Sequence, residues 1–256
     1  MIRNIHGIKT YYEVIGDGKP LLVLHGWGNS SDTVRPIAML AKGCGYRVFS
    51  IDLPGFGFSA APPKDWHVRD YMEFVINFLD EFDLATVDII AHSFGGRITI
   101  MLSALYPGRV GKIALVDSAG IKPRRDWRYY LSVYSYKALK AILRSIYGEA
   151  RLERFLSQRG SADFRNAGGL RGTFVKVINE DLTQYLSRIQ APTLLVWGEK
   201  DMETPLSDGY KMKELIPNSS LAVIENAGHH CFIDHPDEFN SIITASFLGN
   251  SEGAPC

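Results

Sequence analysis

Sulfur is scarce in this chain. Only three of its 256 residues are cysteines, Cys44, Cys231 and Cys256. An odd count without metal-like spacing argues against a disulfide framework and against a zinc site, so reduced thiols are expected. Long apolar runs are missing too. No segment approaches the about 20 apolar residues that a bilayer span requires, and the N-terminus, MIRNIHGIKTYYEV, lacks the apolar core of a signal peptide. A cytoplasmic location without membrane attachment is the expectation. Charge of one sign is not in excess either: 28 Lys and Arg balance 28 Asp and Glu, which disfavours general nucleic-acid binding. No G-K-[ST] follows the glycines at 26 and 28, and no G-x-G-x-x-G occurs, so a nucleotide cofactor is not expected.

What is present is the composition of a globular protein, 46% hydrophobic and 22% charged, in a chain long enough for one large core with an insertion. The zero net charge hides an asymmetry. Between residues 122 and 190 stand 14 Lys and Arg against 6 Asp and Glu, together with six of the twelve tyrosines. Outside 119–190, short apolar strands alternate with amphipathic helices, the pattern of a parallel sheet covered on both faces. The expected fold is therefore α/β, a mostly parallel sheet flanked by helices. Its core spans 1–118 and 191–256, and 119–190 is inserted as a helical cap. Strands are predicted at 2–6, 9–15, 21–25, 46–52, 86–91, 112–117, 192–198 and 220–225. Helices are predicted near 33–42, 66–82, 94–106, after Pro205 and near 236–248. Within the insertion, DWRYYLSVYSYKALKAILRSIYG (126–148) places Trp127, Tyr130 and Tyr134 on one helical face. These three are expected to line a pocket under the cap, while most of the tyrosines serve as its own core.

DIIAHSFGGRITI (88–100) breaks an apolar run at a serine flanked by small residues. A strand enters, a helix leaves, and Ser93 stands at the tip of the turn. Such a bend lifts the side chain above the sheet edge, and Ala91, Gly95 and Gly96 keep the closest approaches free of bulk. The plainer alternative is that Ser93 merely caps a helix.

In open α/β sheets, ligands bind beyond the carboxyl ends of the strands, so loops at those ends supply the partners. A serine needs a base, and His229 in NAGHH, after the small pair Ala227-Gly228, is the candidate, with His230 expected to point elsewhere. An imidazole needs a carboxylate to hold its tautomer. In WGEKDMETP Asp201 or Glu199 could serve, with the spacing past the strand end favouring Asp201, and Asp117 at the end of strand 112–117 is its near-equal rival. LHGWGNSS (24–31) lets the Trp27 amide face a developing oxyanion, with the Phe94 amide as second donor. His25, Gly26 and His92 are expected to border the substrate.

Taken in order, HGWG, DLPGFGFS (52–59), AHSFGG, WGEKD and NAGHH resemble the α/β-hydrolase superfamily, over nearly the whole chain. The resemblance implies an eight-stranded sheet, an inserted cap, and a triad of Ser93, His229 and Asp201, which settles the choice against Asp117. DLPGFGFS resembles the family's structural turn beside the site. Ala91 departs from the usual first glycine of the elbow, as it does in some members. His92 is closer to esterases than to carbon–carbon bond hydrolases, which often carry Asn there, and a serine nucleophile disfavours dehalogenases and epoxide hydrolases. The implied activity is hydrolysis of small to medium carboxylic esters through an acyl-enzyme, without metal or organic cofactor, by a monomer or homodimer. The alternatives are lactone, thioester or carbon–carbon bond hydrolysis, perhydrolysis, or a receptor that keeps the fold.

Overall fold

A computed structural model describes residues 1–122 and 167–249. The expected helix at 126–148, with Trp127, Tyr130 and Tyr134, lies outside the described residues, as does most of the insertion. The strands are β1 (Ile2–Ile5), β2 (Ile8–Ile15), β3 (Lys19–Leu24), β4 (Tyr46–Ile51), β5 (Val87–His92), β6 (Val110–Val116), β7 (Thr193–Gly198) and β8 (Ser219–Ile224). They form one eight-stranded sheet in the order β1-β2-β4-β3-β5-β6-β7-β8. β2 runs antiparallel to β1 and β4, and every other pairing is parallel.

The central strands bury both faces, which is why they read as continuous apolar runs rather than alternating ones. Residues one apart go to opposite cores. Leu22, Leu24, Leu195 and Trp197 pack on one side of the sheet, and Leu21, Val23, Leu194 and Val196 on the other. The first core is covered by α2 (Val68–Glu81) and α3 (Phe94–Leu105), the second by α1 (Arg35–Gly43) and the C-terminal helices. In α2, Val68, Tyr71, Met72, Val75, Phe78 and Leu79 recur at helical spacing on the buried face. Asp70 accepts the His67 backbone N–H at 2.7 Å, closing the helix start.

Two helices lie in the described part of 119–190, α4 (Arg171–Asn179) and α5 (Thr183–Leu186). Beyond β7 lies α6 (Leu206–Leu215), with Pro205 as N-cap. The last helix stands where it is predicted, over 236–248, and an additional short one comes before it. A short α7 (Cys231–Asp234) precedes α8 (Pro236–Ile243), which runs on into a π-helical turn, Thr244–Leu248. Pro236 lacks an N–H and cannot continue α7, so it starts a new helix instead. Cys231 is a free, buried thiol, whereas Cys44 is disulfide-bonded, which corrects the expectation of reduced thiols there. Among the described residues, no helix is long and apolar enough to cross a membrane.

Candidate active site

Ser93 joins β5 to α3 with φ +49° and ψ −108°, the left-handed region that a non-glycine residue enters only when its surroundings hold it there. Those surroundings are the end of β6 with the loop after it, and the loop after β3. The Ser93 N–H donates to the Val116 carbonyl at 3.0 Å, the Gly95 N–H to the His25 carbonyl at 3.1 Å, and the Ala119 N–H to the Ser93 carbonyl at 3.1 Å. Such close approach leaves no room for side chains. A Cβ on Gly96 would come 1.9 Å from Ser118 Oγ, and one on Gly95 2.7 Å from both the Cβ and the carbonyl oxygen of Leu24.

The structure brings Ser93, His229 and Asp201 together from three separate loops. Ser93 Oγ lies 2.9 Å from His229 Nε2, and His229 Nδ1 lies 2.8 Å from Asp201 Oδ2. Because a carboxylate only accepts, Nδ1 carries the proton, and Nε2 is left to accept from the serine hydroxyl. Asp201 is fixed by the turn it begins. Its Oδ1 accepts the N–H groups of Glu203 and Thr204 at 2.8 and 3.0 Å, and its Oδ2 takes the Thr204 hydroxyl at 2.7 Å. Burial pushes the Asp201 carboxyl up, but the His229 hydrogen bond and charge and the Thr204 donors outweigh it and hold it below the usual range. Burial likewise pulls His229 down. The Asp201 hydrogen bond and charge, with Glu203 and Asp117 adding to them, reverse this and raise its pKa above the ordinary value.

Asp117, the rival acid, does not touch the His229 ring. Its carboxylate accepts the backbone N–H of Gly198 at 2.8 Å and of Cys231 at 3.2 Å. It ties the loop carrying Asp201 to the loop carrying His229. Burial raises its pKa to about 7 against these hydrogen bonds.

The rings of Trp27 and Phe94 pack edge to face beside Ser93, with centroids 5.3 Å apart. Among the described residues, neither backbone N–H has a protein acceptor, so both are available to a ligand. The Phe94 amide is the first of α3, at the positive end of the helix dipole. Two cavities meet at Ser93, Trp27, Glu203 and His229. One, of about 770 Å³, is bordered by Gly26, Asn29, His92, Leu170, Thr173 and His230. The other, of about 1060 Å³, is bordered by Phe94, Arg97, Ile121, Phe174, Val177 and Lys211.

Gly26 and His92 thus border the site, but His25 does not. Its ring is fully buried, donating Nδ1–H to the Gly26 carbonyl at 2.7 Å and accepting the Leu53 N–H on Nε2 at 3.0 Å. It is a brace between two loops rather than a pocket wall. His230 also differs from expectation. The turn into α7 brings its ring to 4.8 Å from that of His92, inside the smaller cavity. DLPGFGFS is a structural turn, in which Asp52 accepts the N–H groups of Ser31 and Phe58 at 2.7 and 2.8 Å.

Sequence reasoning missed Thr204, Glu203 and Arg97. The Glu203 carboxylate is exposed and lies 3.4 Å from His229 Nε2. Arg97 was the most visible of the three, a charge set in a helix that is otherwise almost wholly apolar and buried.

The sequence model of the alpha/beta hydrolase family matches residues 21–242. A 2-hydroxy-6-oxononadienedioate/2-hydroxy-6-oxononatrienedioate hydrolase of Escherichia coli K12 is 25% identical over 271 residues, covering 92% of this chain and 90% of the relative. Among solved structures, a meta-cleavage product hydrolase of Pseudomonas fluorescens superposes with a TM-score of 0.75 at 21% identity, covering 98% of each chain. A serine hydrolase involved in carbazole degradation does so with a TM-score of 0.74 at 26% identity, again over 98% of each.

Proposed function

The chain belongs to the alpha/beta hydrolase family, and from that premise we propose that it hydrolyses the bond between a carbonyl carbon and its leaving group through an acyl-Ser93 intermediate. The observation that carries this reading is the unbroken hydrogen-bond line from Ser93 Oγ through the His229 ring to Asp201. Ser93 Oγ attacks the carbonyl carbon while His229 Nε2 takes the hydroxyl proton. Asp201 keeps the imidazole in the required tautomer and stabilises its charged form. The Trp27 and Phe94 amides receive the oxyanion, each such donor contributing about a hundredfold to a thousandfold in rate. The imidazolium then returns the proton to the leaving group as the bond breaks. A water molecule, deprotonated by the same ring, releases the acid and restores Ser93. Each turnover adds one water across the bond.

Two leaving groups are in question. The E. coli relative is named a hydrolase of 2-hydroxy-6-oxononadienedioate and 2-hydroxy-6-oxononatrienedioate, and this favours a carbon leaving group over the ester that the motifs first suggested. In such a substrate the electron pair of the broken carbon–carbon bond is taken up by the conjugated system and reprotonated. Ester hydrolysis is the second reading, favoured by His92 before the nucleophile. Side-by-side turnover of a 2-hydroxy-6-oxo dienoic acid and of 4-nitrophenyl esters of rising chain length tests both, with Ser93→Ala as control. A higher kcat/KM on the oxo acid supports the first, and turnover of esters alone supports the second. Activity that survives in Ser93→Ala refutes the acyl-enzyme altogether.

A further inference from the structure

Arg97 lies one helical turn beyond Ser93, within a stretch of α3 where Ile98, Ile100, Met101 and Leu102 are fully or almost fully buried. Only 5% of its surface is exposed, yet it borders the larger cavity beside the nucleophile. A buried charge is costly unless it is paired. One guanidinium nitrogen, Nη1, donates to the Glu180 backbone carbonyl at 2.9 Å. Among the described residues, no carboxylate makes a salt bridge with it.

The nearby acids are occupied elsewhere or stand off. The Glu180 carboxylate accepts the Val68 N–H at 3.2 Å, and that of Asp181 holds the Thr183 N–H and hydroxyl at 3.1 and 2.6 Å. Asp208 borders the same cavity and is influenced by both Lys211 and Arg97. Burial pulls the guanidinium down to about 10, opposed by Glu180, Asp181 and Asp208, so it is a cation at neutral pH. Lys122 and Lys211 add positive charge to the cavity, while Glu203 stands at its triad end. Between them the walls are apolar, formed by Phe94, Ile121, Phe174 and Val177.

We propose that this cavity is a carboxylate subsite, in which Arg97 binds a carboxylate carried by the substrate whose carbonyl lies over Ser93. The proposal rests on the acyl-hydrolase reading and names the substrate class, an acyl compound bearing a second, ionised acid group. A planar guanidinium matches a carboxylate edge, forming charge-assisted hydrogen bonds that a neutral chain cannot. The apolar walls hold the chain between the two ends. Lys122 and Lys211 draw the anion in by long-range attraction, which salt screens.

Protection of Ser93 from a neutral alkyl fluorophosphonate tests this without turnover. Butyrate is compared with butyramide, its uncharged counterpart of equal size, as protectant. Butyrate is expected to slow labelling of the wild-type chain at concentrations where butyramide does not. In Arg97→Gln, half-protection by butyrate should need about tenfold to a hundredfold more, the scale of a lost hydrogen bond to a charged group. Arg97→Lys keeps the charge and should retain part of the protection. Equal protection by acid and amide in the wild type overturns the proposal, and so does Arg97→Gln protected as well as wild type. Where Arg97→Gln no longer takes the label, the wild-type comparison and Arg97→Lys decide. Charge-dependent protection in a chain that hydrolyses neither the oxo acid nor the esters refutes the hydrolase reading and leaves the subsite standing. Turnover with charge-blind protection refutes the subsite alone.

Discussion

The His92 ring donates its Nε2–H to the backbone carbonyl of His229 at 2.8 Å, so the residue before Ser93 holds the His229 backbone in place. A carbonyl only accepts, which assigns the proton of His92 to Nε2 and leaves Nδ1 bare. Nδ1 is buried and without a partner among the described residues, facing Gly26, where a Cβ would come within 2.8 Å of it. Burial, with the charge of His229 beyond it, holds the pKa of His92 well below the usual histidine range. The ring is therefore neutral at neutral pH.

Replacing His92 with Phe keeps a ring and removes the donor. One hydrogen bond is worth about 1 kcal/mol, so about a fivefold to tenfold loss is expected. It should fall on kcat rather than KM, because the carbonyl positions the base and does not touch the substrate. His92→Gln, which can still donate, should recover part of it. Steady-state kinetics on one substrate check the split, and a change confined to KM contradicts the positioning role.

Asp117 and Asp201 should separate cleanly. Asp201→Asn presents the wrong partner to Nδ1, and about four orders of magnitude in kcat should be lost, the scale of an imidazole held in the wrong tautomer. Asp117→Asn can accept only one of the two N–H groups that the carboxylate now takes. Its cost should be stability, about 1–3 kcal/mol for a buried donor left unmatched, with a far smaller change in kcat. The pH dependence follows from the raised pKa, about 7 in the folded chain. Between the unfolded carboxylate value near 4 and this one, the unfolded state binds fewer protons. Asp117 therefore contributes stability at low pH that is lost as pH rises through 7. Denaturant midpoints across that range should fall less steeply in Asp117→Asn than in wild type.

The core was legible because the two periodicities are clean. β3, β5 and β7 are apolar on both faces, and the ends of all eight strands fall within two residues of their expected positions. The short helix before Pro236 was missed because Cys231–Asp234 is a single turn with no periodicity of its own. The site was legible where chemistry needs a particular residue type in a particular loop, as with Ser93, His229 and the glycines. It was illegible where a role depends on the direction of a side chain. His25 follows a strand end as expected, but its ring turns down to brace Gly26 and Leu53. The positions of Glu203 and Thr204 depend on how the Asp201 turn closes, which separate stretches of sequence do not encode visibly.

The raised pKa of His229 should set the acid limb of the proposed activity. The ring acts as a base only when neutral, so kcat/KM should fall on the acid side of a pKa lying above the ordinary 6.5 or so. Glu203, with its carboxylate 3.4 Å from Nε2, is one of the groups that hold it there. Glu203→Gln removes that charge, and the limb should move to lower pH. A limb that stays in place in the variant, measured on an uncharged substrate, shows that solvent screens Glu203 from the ring.

Gly95 is where the elbow can least tolerate bulk. A methyl group there would meet Leu24 Cβ and the Leu24 carbonyl oxygen at 2.7 Å and the His25 carbonyl oxygen at 3.0 Å. Two of these atoms are backbone of the neighbouring loop and cannot step aside cheaply. Overpacking of this kind costs about 1–3 kcal/mol, and the helix start must lift away from β3 to relieve it. That movement carries Ser93 with it. A displacement of about 1 Å at a reacting atom can cost about a hundredfold in rate. Gly95→Ala should therefore lower both the unfolding midpoint and kcat/KM. Gly108→Ala is the matched control, since no atom lies within 4 Å of the added Cβ, and its stability should stay within about 0.5 kcal/mol of wild type. If Gly95→Ala lowers stability but leaves kcat/KM at the wild-type value, the elbow absorbs the methyl without moving the serine.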